Sequence, residues 1–90
     1  MQNQALAPMN PRSIGSSEAV DSDGRCDLML TPNELEVLDA DPGSNWRAGA
    51  QARCSYIEVT DTGNLIYTNL AGDYRNAMCA RLTQLQNRGE

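Results

Sequence analysis

A TPNE segment most restricts how this chain folds, because it contains every sequence signal of a helix start. Thr31 can act as the N-cap and accept a hydrogen bond from a backbone N–H of the first turn. Pro32 at the first helical position loses no hydrogen bond, since that N–H has no partner within a helix. Glu34 stands where its side chain completes a capping box with Thr31. With Pro-Gly at 42–43 as a stop signal, the sequence predicts a helix over residues 31–40.

Two segments rich in Tyr, Ile, Val and Thr flank an Asp-Thr-Gly turn and predict a β-hairpin over residues 53–70. The turn sets a register in which Val59 lies opposite Leu65 and Ile57 lies opposite Tyr67. We expect these four side chains to share the core face of the sheet, because side chains alternate along a strand. The opposite face is then expected to carry Cys54, Tyr56, Glu58 and Leu70.

Two further apolar patterns complete the predicted domain. Residues 26–30 are a short apolar run, which we interpret as a strand. Residues 72–87 have an apolar stripe at helical spacing, with Arg75 pointing away from it. The stripe consists of Tyr74, Met78, Leu82 and Leu85. We therefore predict one α+β domain over residues 25–90, with a small antiparallel sheet covered on one face by two helices, over 31–40 and 72–87.

Two segments are less regular. Residues 1–24 contain few apolar side chains and many Ser, Asn, Gln, Pro and Gly, so we predict a disordered tail, with a single weak strand or turn near its end as the alternative. Residues 42–52 fit either a short helix capped by Ser44 or a loop that leads into a strand, and both alternatives stay open. Trp46, the single tryptophan, fits a plug at the edge of the core, and an exposed anchor for a partner is the alternative.

The composition excludes several kinds of chemistry. The chain has no histidine, and all of its basic side chains are arginines. A Ser/His/Asp triad, a histidine zinc site, a lysine Schiff base and a P-loop lysine are therefore excluded. The acidic stretches around residues 21–24 and 39–43 lack the spacing of a calcium-binding loop. We expect no catalytic residues, no metal and no cofactor.

The cysteines and the apolar runs point to a cellular compartment. Cys26, Cys54 and Cys79 are odd in number and widely spaced, which is not the pattern of a disulfide scaffold. We therefore expect free thiols in a reducing, cytoplasmic environment. No apolar run approaches the ~18 residues of a membrane span, so no membrane association is expected.

The charge is unevenly distributed, which fits either a solvated acidic face that keeps a small protein soluble or a surface that binds a partner. Residues 1–45 contain two arginines and eight carboxylates, and residues 46–90 contain five arginines and four carboxylates. An acidic half repels nucleic acid and suits a protein partner with a basic surface. We expect the partner-binding residues to be Glu34, Glu36, Asp39, Asp41 and Trp46.

The leading hypothesis is therefore a small non-enzymatic protein-binding module. Phages and mobile elements encode such acidic proteins as inhibitors of host machinery, and we expect that role here. We do not expect direct binding of nucleic acid. The predicted core is small, so that either the stability is marginal or a homodimer supplies further burial.

Two segments resemble DNA-binding proteins. LTPNELEVL (30–38) resembles the opening helix of LuxR-type helix-turn-helix domains, and residues 56–78 are similar to the wing and last helix of winged-helix regulators. The resemblance implies an alternative function, that of a reduced winged-helix DNA-binding transcriptional regulator. Arg47, Arg53 and Arg75 would then contact phosphate.

Overall fold

The computed structural model describes residues 12–13 and 19–88 of the chain. The strands are β1 (Arg12–Ser13), β2 (Arg25–Leu30), β3 (Tyr56–Val59) and β4 (Leu65–Ala71), and the helices are α1 (Pro32–Asp39), α2 (Trp46–Ala52) and α3 (Gly72–Arg88). The sheet order is β1-β2-β4-β3, in which β1 is parallel to β2 and the other neighbours are antiparallel. The helices contact one another and share one core with β2 and β4. The predicted α+β class and the strand over 26–30 are confirmed.

The start of α1 is as predicted. The Glu34 N–H donates to the Thr31 hydroxyl over 3.2 Å, and the Thr31 N–H donates to the Glu34 carboxylate over 2.9 Å. Both halves of the capping box are therefore present, and Pro32 occupies the first helical position. The helix ends at Asp39, and Ala40 is its C-cap.

Of the two alternatives for residues 42–52, the structure has the helix, which is α2. Its N-cap is Asn45 rather than Ser44, and the Asn45 side chain accepts the Ala48 N–H over 3.2 Å. A glycine stands inside this helix because a Cβ at Gly49 would overlap the hydroxyl of Tyr74 on α3. The described part of the chain therefore has three helices where the sequence predicts two.

The hairpin has the predicted register, with Val59 opposite Leu65 and Ile57 opposite Tyr67. Tyr67 is buried, and Ile57 and Leu65 pack against the core. Val59 does not: it is 69% exposed, so its predicted place in the core is wrong. It lies at the turn end of β3, and no strand of the described chain lies beyond β3 in the sheet.

A bulge in β4 decides the position of Leu70. Asn69 has a positive φ of 61°, and the four residues of β4 from Tyr67 to Leu70 lie opposite the three residues of β2 from Cys26 to Leu28. The extra residue inverts the alternation of side chains. Leu70 is consequently 0% exposed in the core, and its predicted position on the opposite face is wrong.

The remaining errors in the predicted core concern Cys54 and Arg75. Cys54, which was expected on the face away from the core, packs against the core. On α3, Met78 and Leu82 are buried as predicted, but Arg75 is only 1% exposed and does not point away. The segment that leads into β2 crosses this side of α3, where Asn76 bonds to the backbone of Val20.

The predicted disordered tail over residues 1–24 is only partly described, because residues 1–11 and 14–18 lie outside the described residues. The described parts contact the rest of the domain. Residues 12–13 form β1, and the Val20 N–H and C=O bond to the Asn76 side chain over 3.0 and 2.8 Å. These hydrogen bonds attach the segment to α3, although it has few apolar side chains to bury there.

Candidate interaction surface

The five residues predicted to bind a partner lie in and after α1, but they differ in exposure. Glu36 and Asp39 are exposed, Trp46 is half-buried, and Glu34 and Asp41 are buried. Glu34 is held in the capping box described above. The structure brings Asp39, Asp41 and Trp46 together at the junction of α1 and α2, and it leaves Glu36 on the open side of α1.

Asp41 connects three parts of the helical layer. Its carboxylate accepts the Trp46 indole N–H over 2.9 Å and two N–H groups of Arg81 over 3.0 and 2.6 Å. The hydrogen bonds from Arg81, and then the one from Trp46, lower the pKa of Asp41 from 3.8 to about 2. The same contact raises the pKa of Arg81. With 4% of its surface exposed, Asp41 joins the turn after α1 to α2 and α3.

Asp39 and Arg47 form an ion pair with an N–O distance of 2.9 Å. Both side chains are about half exposed, so solvent screens the pair and it contributes little to stability. The pair does change the charge of the surface, because it places the positive charge of Arg47 directly beside the negative charge of Asp39.

Trp46 packs at the edge of the core, beside Tyr74 and Arg53. The two ring centroids are 5.5 Å apart, and the Arg53 guanidinium lies 4.6 Å from the centroid of the Tyr74 ring. The Tyr74 hydroxyl donates to the Trp46 carbonyl over 3.4 Å, and burial raises the pKa of Tyr74. Trp46 therefore has structural contacts on both its ring and its backbone.

The arginines with described side chains all contact other groups of the chain. Arg47 and Arg81 pair with carboxylates, and Arg53 lies over an aromatic ring. Arg25 donates to the carbonyl oxygens of Arg53 and Asn69 over 3.0 and 3.2 Å. Arg75 is buried and donates to the Asn76 side chain. Five guanidinium groups are thus held against the protein's own chain.

Three carboxylates differ from these arginines because they are paired with no other described side chain. Glu36, Glu58 and Asp61 are exposed, and none of their carboxylate groups has a hydrogen bond or ion pair with another of the described residues. We call these three residues the acidic surface. Glu58 lies on β3, and Asp61 lies in the turn after it. A Cβ at Gly63 in that turn would be 3.3 Å from the Pro32 ring, so the turn abuts α1, where Glu36 follows Pro32 by one helical turn.

Glu58 and Asp61 were missed as candidate site residues, although their position beside the hairpin turn was visible in the sequence. Within the described residues, no group of three or more His, Cys, Asp or Glu could hold a metal ion. None of the described helices has the length and apolar character needed to cross a membrane.

Comparison of the chain with known protein families, with curated proteins and with solved structures gives no match.

Proposed function

We propose that this protein is a small non-enzymatic module that binds a basic surface of another protein through its acidic surface. The observation that supports the proposal is the contrast between the two signs of charge. The five arginine side chains that the structure describes contact the protein's own groups, whereas the exposed carboxylates of Glu36, Glu58 and Asp61 have no counter-charge among the described residues.

Exposed carboxylates of this kind mainly affect the rate at which two proteins associate. Complementary charge speeds the association of two proteins and rejects partners of the wrong sign. A net charge of −5 extends the same preference to the whole chain. A protein that competes with nucleic acid for a basic surface needs this charge distribution, which supports the inhibitor role expected above.

The test compares two doubly neutralised variants of equal charge. E36Q/D61N changes the acidic surface, and D21N/D23N changes two exposed residues near the opposite end of β4. Each variant and the wild type would be used to capture proteins from a nuclease-treated bacterial lysate, followed by quantitative mass spectrometry.

We expect proteins that the wild type and D21N/D23N retain and that E36Q/D61N loses. Equal capture by both variants, or no specific capture of any protein from the nuclease-treated lysate, would contradict the proposal. The acidic surface would then not be the contact.

The second candidate is the reduced winged-helix regulator. It is favoured by one observation: α1 and α2 directly precede the hairpin, as a helix-turn-helix would. The charges do not support it, since Arg47 pairs with Asp39, Arg75 is buried, and Asp61 occupies the turn that would be the wing. Binding of duplex DNA at physiological salt that is lost in R47A and kept in E36Q would establish this candidate instead.

A further inference from the structure

The outer edge of β3 has main-chain groups available for another strand. At the turn, the Thr60 N–H donates to the Asn64 carbonyl over 2.9 Å, so Thr60 and Asn64 form a hydrogen-bonded pair. Such pairs alternate along antiparallel strands. Glu58 and Tyr56 therefore bond to β4, and the N–H and C=O groups of Ile57 and Val59 point outward. No described strand lies beyond β3.

The side chains on β3 are also unusual for a free edge. The exposed large hydrophobic residues of the described chain are Tyr56, which is 56% exposed, and Val59, which is 69% exposed. Both lie on β3, on either side of Glu58. Tyr56 and Glu58 share the sheet face away from the helices, and Val59 shares the helix-side face with Ile57.

A second copy of this chain brings like charges together at the edge when all the outward groups of β3 are used in both copies. The two-fold pairing that uses the outward groups of both strands sets Ile57 opposite Val59 of the other copy. Glu58 then lies directly opposite Glu58, in a non-hydrogen-bonded pair with Cα atoms only about 4.5 Å apart. Like charges in that position oppose pairing, and charged residues commonly protect edge strands in this way.

We infer that the edge of β3 binds an extended basic segment of a partner protein as an additional strand. The inference rests on the proposed function, because it takes the partner to be a basic protein and names the part that would be recognised. A basic residue of the partner opposite Glu58 supplies a positive charge, whereas a second copy would place another glutamate there. Apolar residues on either side of it cover Ile57 and Val59, while main-chain hydrogen bonds hold the segment.

The probe is a short, end-blocked synthetic peptide of alternating arginine and valine. When an arginine of the peptide lies opposite Glu58, the two neighbouring valines lie opposite Ile57 and Val59. The main-chain groups of these valines then bond to the outward N–H and C=O groups of Ile57 and Val59. Titration into the isotope-labelled full chain would be followed by NMR. We expect saturable amide shifts centred on residues 56–60. The same peptide with N-methylated valines keeps its charge and loses these donors, so it should bind at least about tenfold more weakly.

Changes in the protein test the same contact from the other side. Val59→Pro removes an outward N–H without removing a bond to β4, and proline is tolerated at such edge positions. It should weaken binding by about tenfold or more, while Val59→Thr, which keeps the N–H, should change it by less than about threefold. Glu58→Arg should exchange the preference, so that a glutamate-valine peptide binds and the arginine-valine peptide does not.

The outcomes separate this inference from the proposed function. Equal binding of the plain and N-methylated peptides, or unchanged binding in a folded Val59→Pro variant, would overturn strand addition. If capture from the lysate still depends on Glu36 and Asp61 in that case, the acidic surface acts without strand addition. Dimers of the wild type in sedimentation experiments that Val59→Pro abolishes would make a second copy the occupant and would also overturn the inference.

Discussion

Replacement of Asn69 tests whether the bulge in β4 decides which residues enter the core. Asn69 is the non-glycine residue with positive φ among the described residues. Its N–H donates to the Asp27 carboxylate over 2.9 Å, and its side-chain amide donates to the Ser55 hydroxyl over 2.9 Å. Its carbonyl accepts from Arg25 over 3.2 Å. Three side chains therefore hold the bulge.

The expected magnitudes follow from the backbone. Left-handed conformation costs an ordinary L-residue about 1–2 kcal/mol, and it costs glycine almost nothing. Asn69→Ala adds part of this strain and removes the exposed bond to Ser55, for a loss of about 1–2 kcal/mol in the free energy of unfolding. Asn69→Gly removes only the side-chain bond, for a loss of less than about 1 kcal/mol. Glycine should therefore be the more stable of the two variants.

The assay is urea unfolding followed by circular dichroism, with the slope of free energy against urea compared between variants. Thr68 supplies the control, because it is the neighbouring residue of the same strand without a positive φ. At Thr68 the usual order should hold, with glycine less stable than alanine by about 0.5–1 kcal/mol. A glycine variant at Asn69 that is less stable than the alanine variant would refute the role assigned to the bulge.

Three further predictions concern α1, the helical layer and the β3 edge. Thr31→Ala should lower the free energy of unfolding by about 1 kcal/mol in the same assay, because it removes the N-cap, and an unchanged value would contradict the capping box. Since the pKa of Asp41 falls from 3.8 to about 2 on folding, its contribution to stability is complete above the higher value and is lost as the pH falls toward the lower one. Thermal midpoints measured across this range should therefore change less with pH in Asp41→Asn than in the wild type, and an equal slope would show that the contacts of Asp41 with Trp46 and Arg81 do not matter. Glu58→Val should produce concentration-dependent association in analytical ultracentrifugation, whereas a monomer at all concentrations would show that this charge does not protect the edge.

Features that depend on residues close together in the chain could be predicted from the sequence. The capping box joins Thr31 to Glu34, and the turn after Thr60 sets the hairpin register, so each follows from a few neighbouring side chains. The predicted strand over 26–30 and the apolar stripe of α3 likewise followed from local periodicity.

Tertiary structure decided which of these residues are buried, because burial depends on what lies across the sheet or the helical layer. Val59 is exposed because no described strand lies beyond β3, and Leu70 is buried because the bulge at Asn69 turns its side chain to the core. The candidate site changed for the same reason. Asp41 is turned inward by Arg81, 40 residues away, while Glu58 stays exposed on an edge strand. No local pattern contains either neighbour, so the sequence could supply the carboxylates but not their accessibility to a partner.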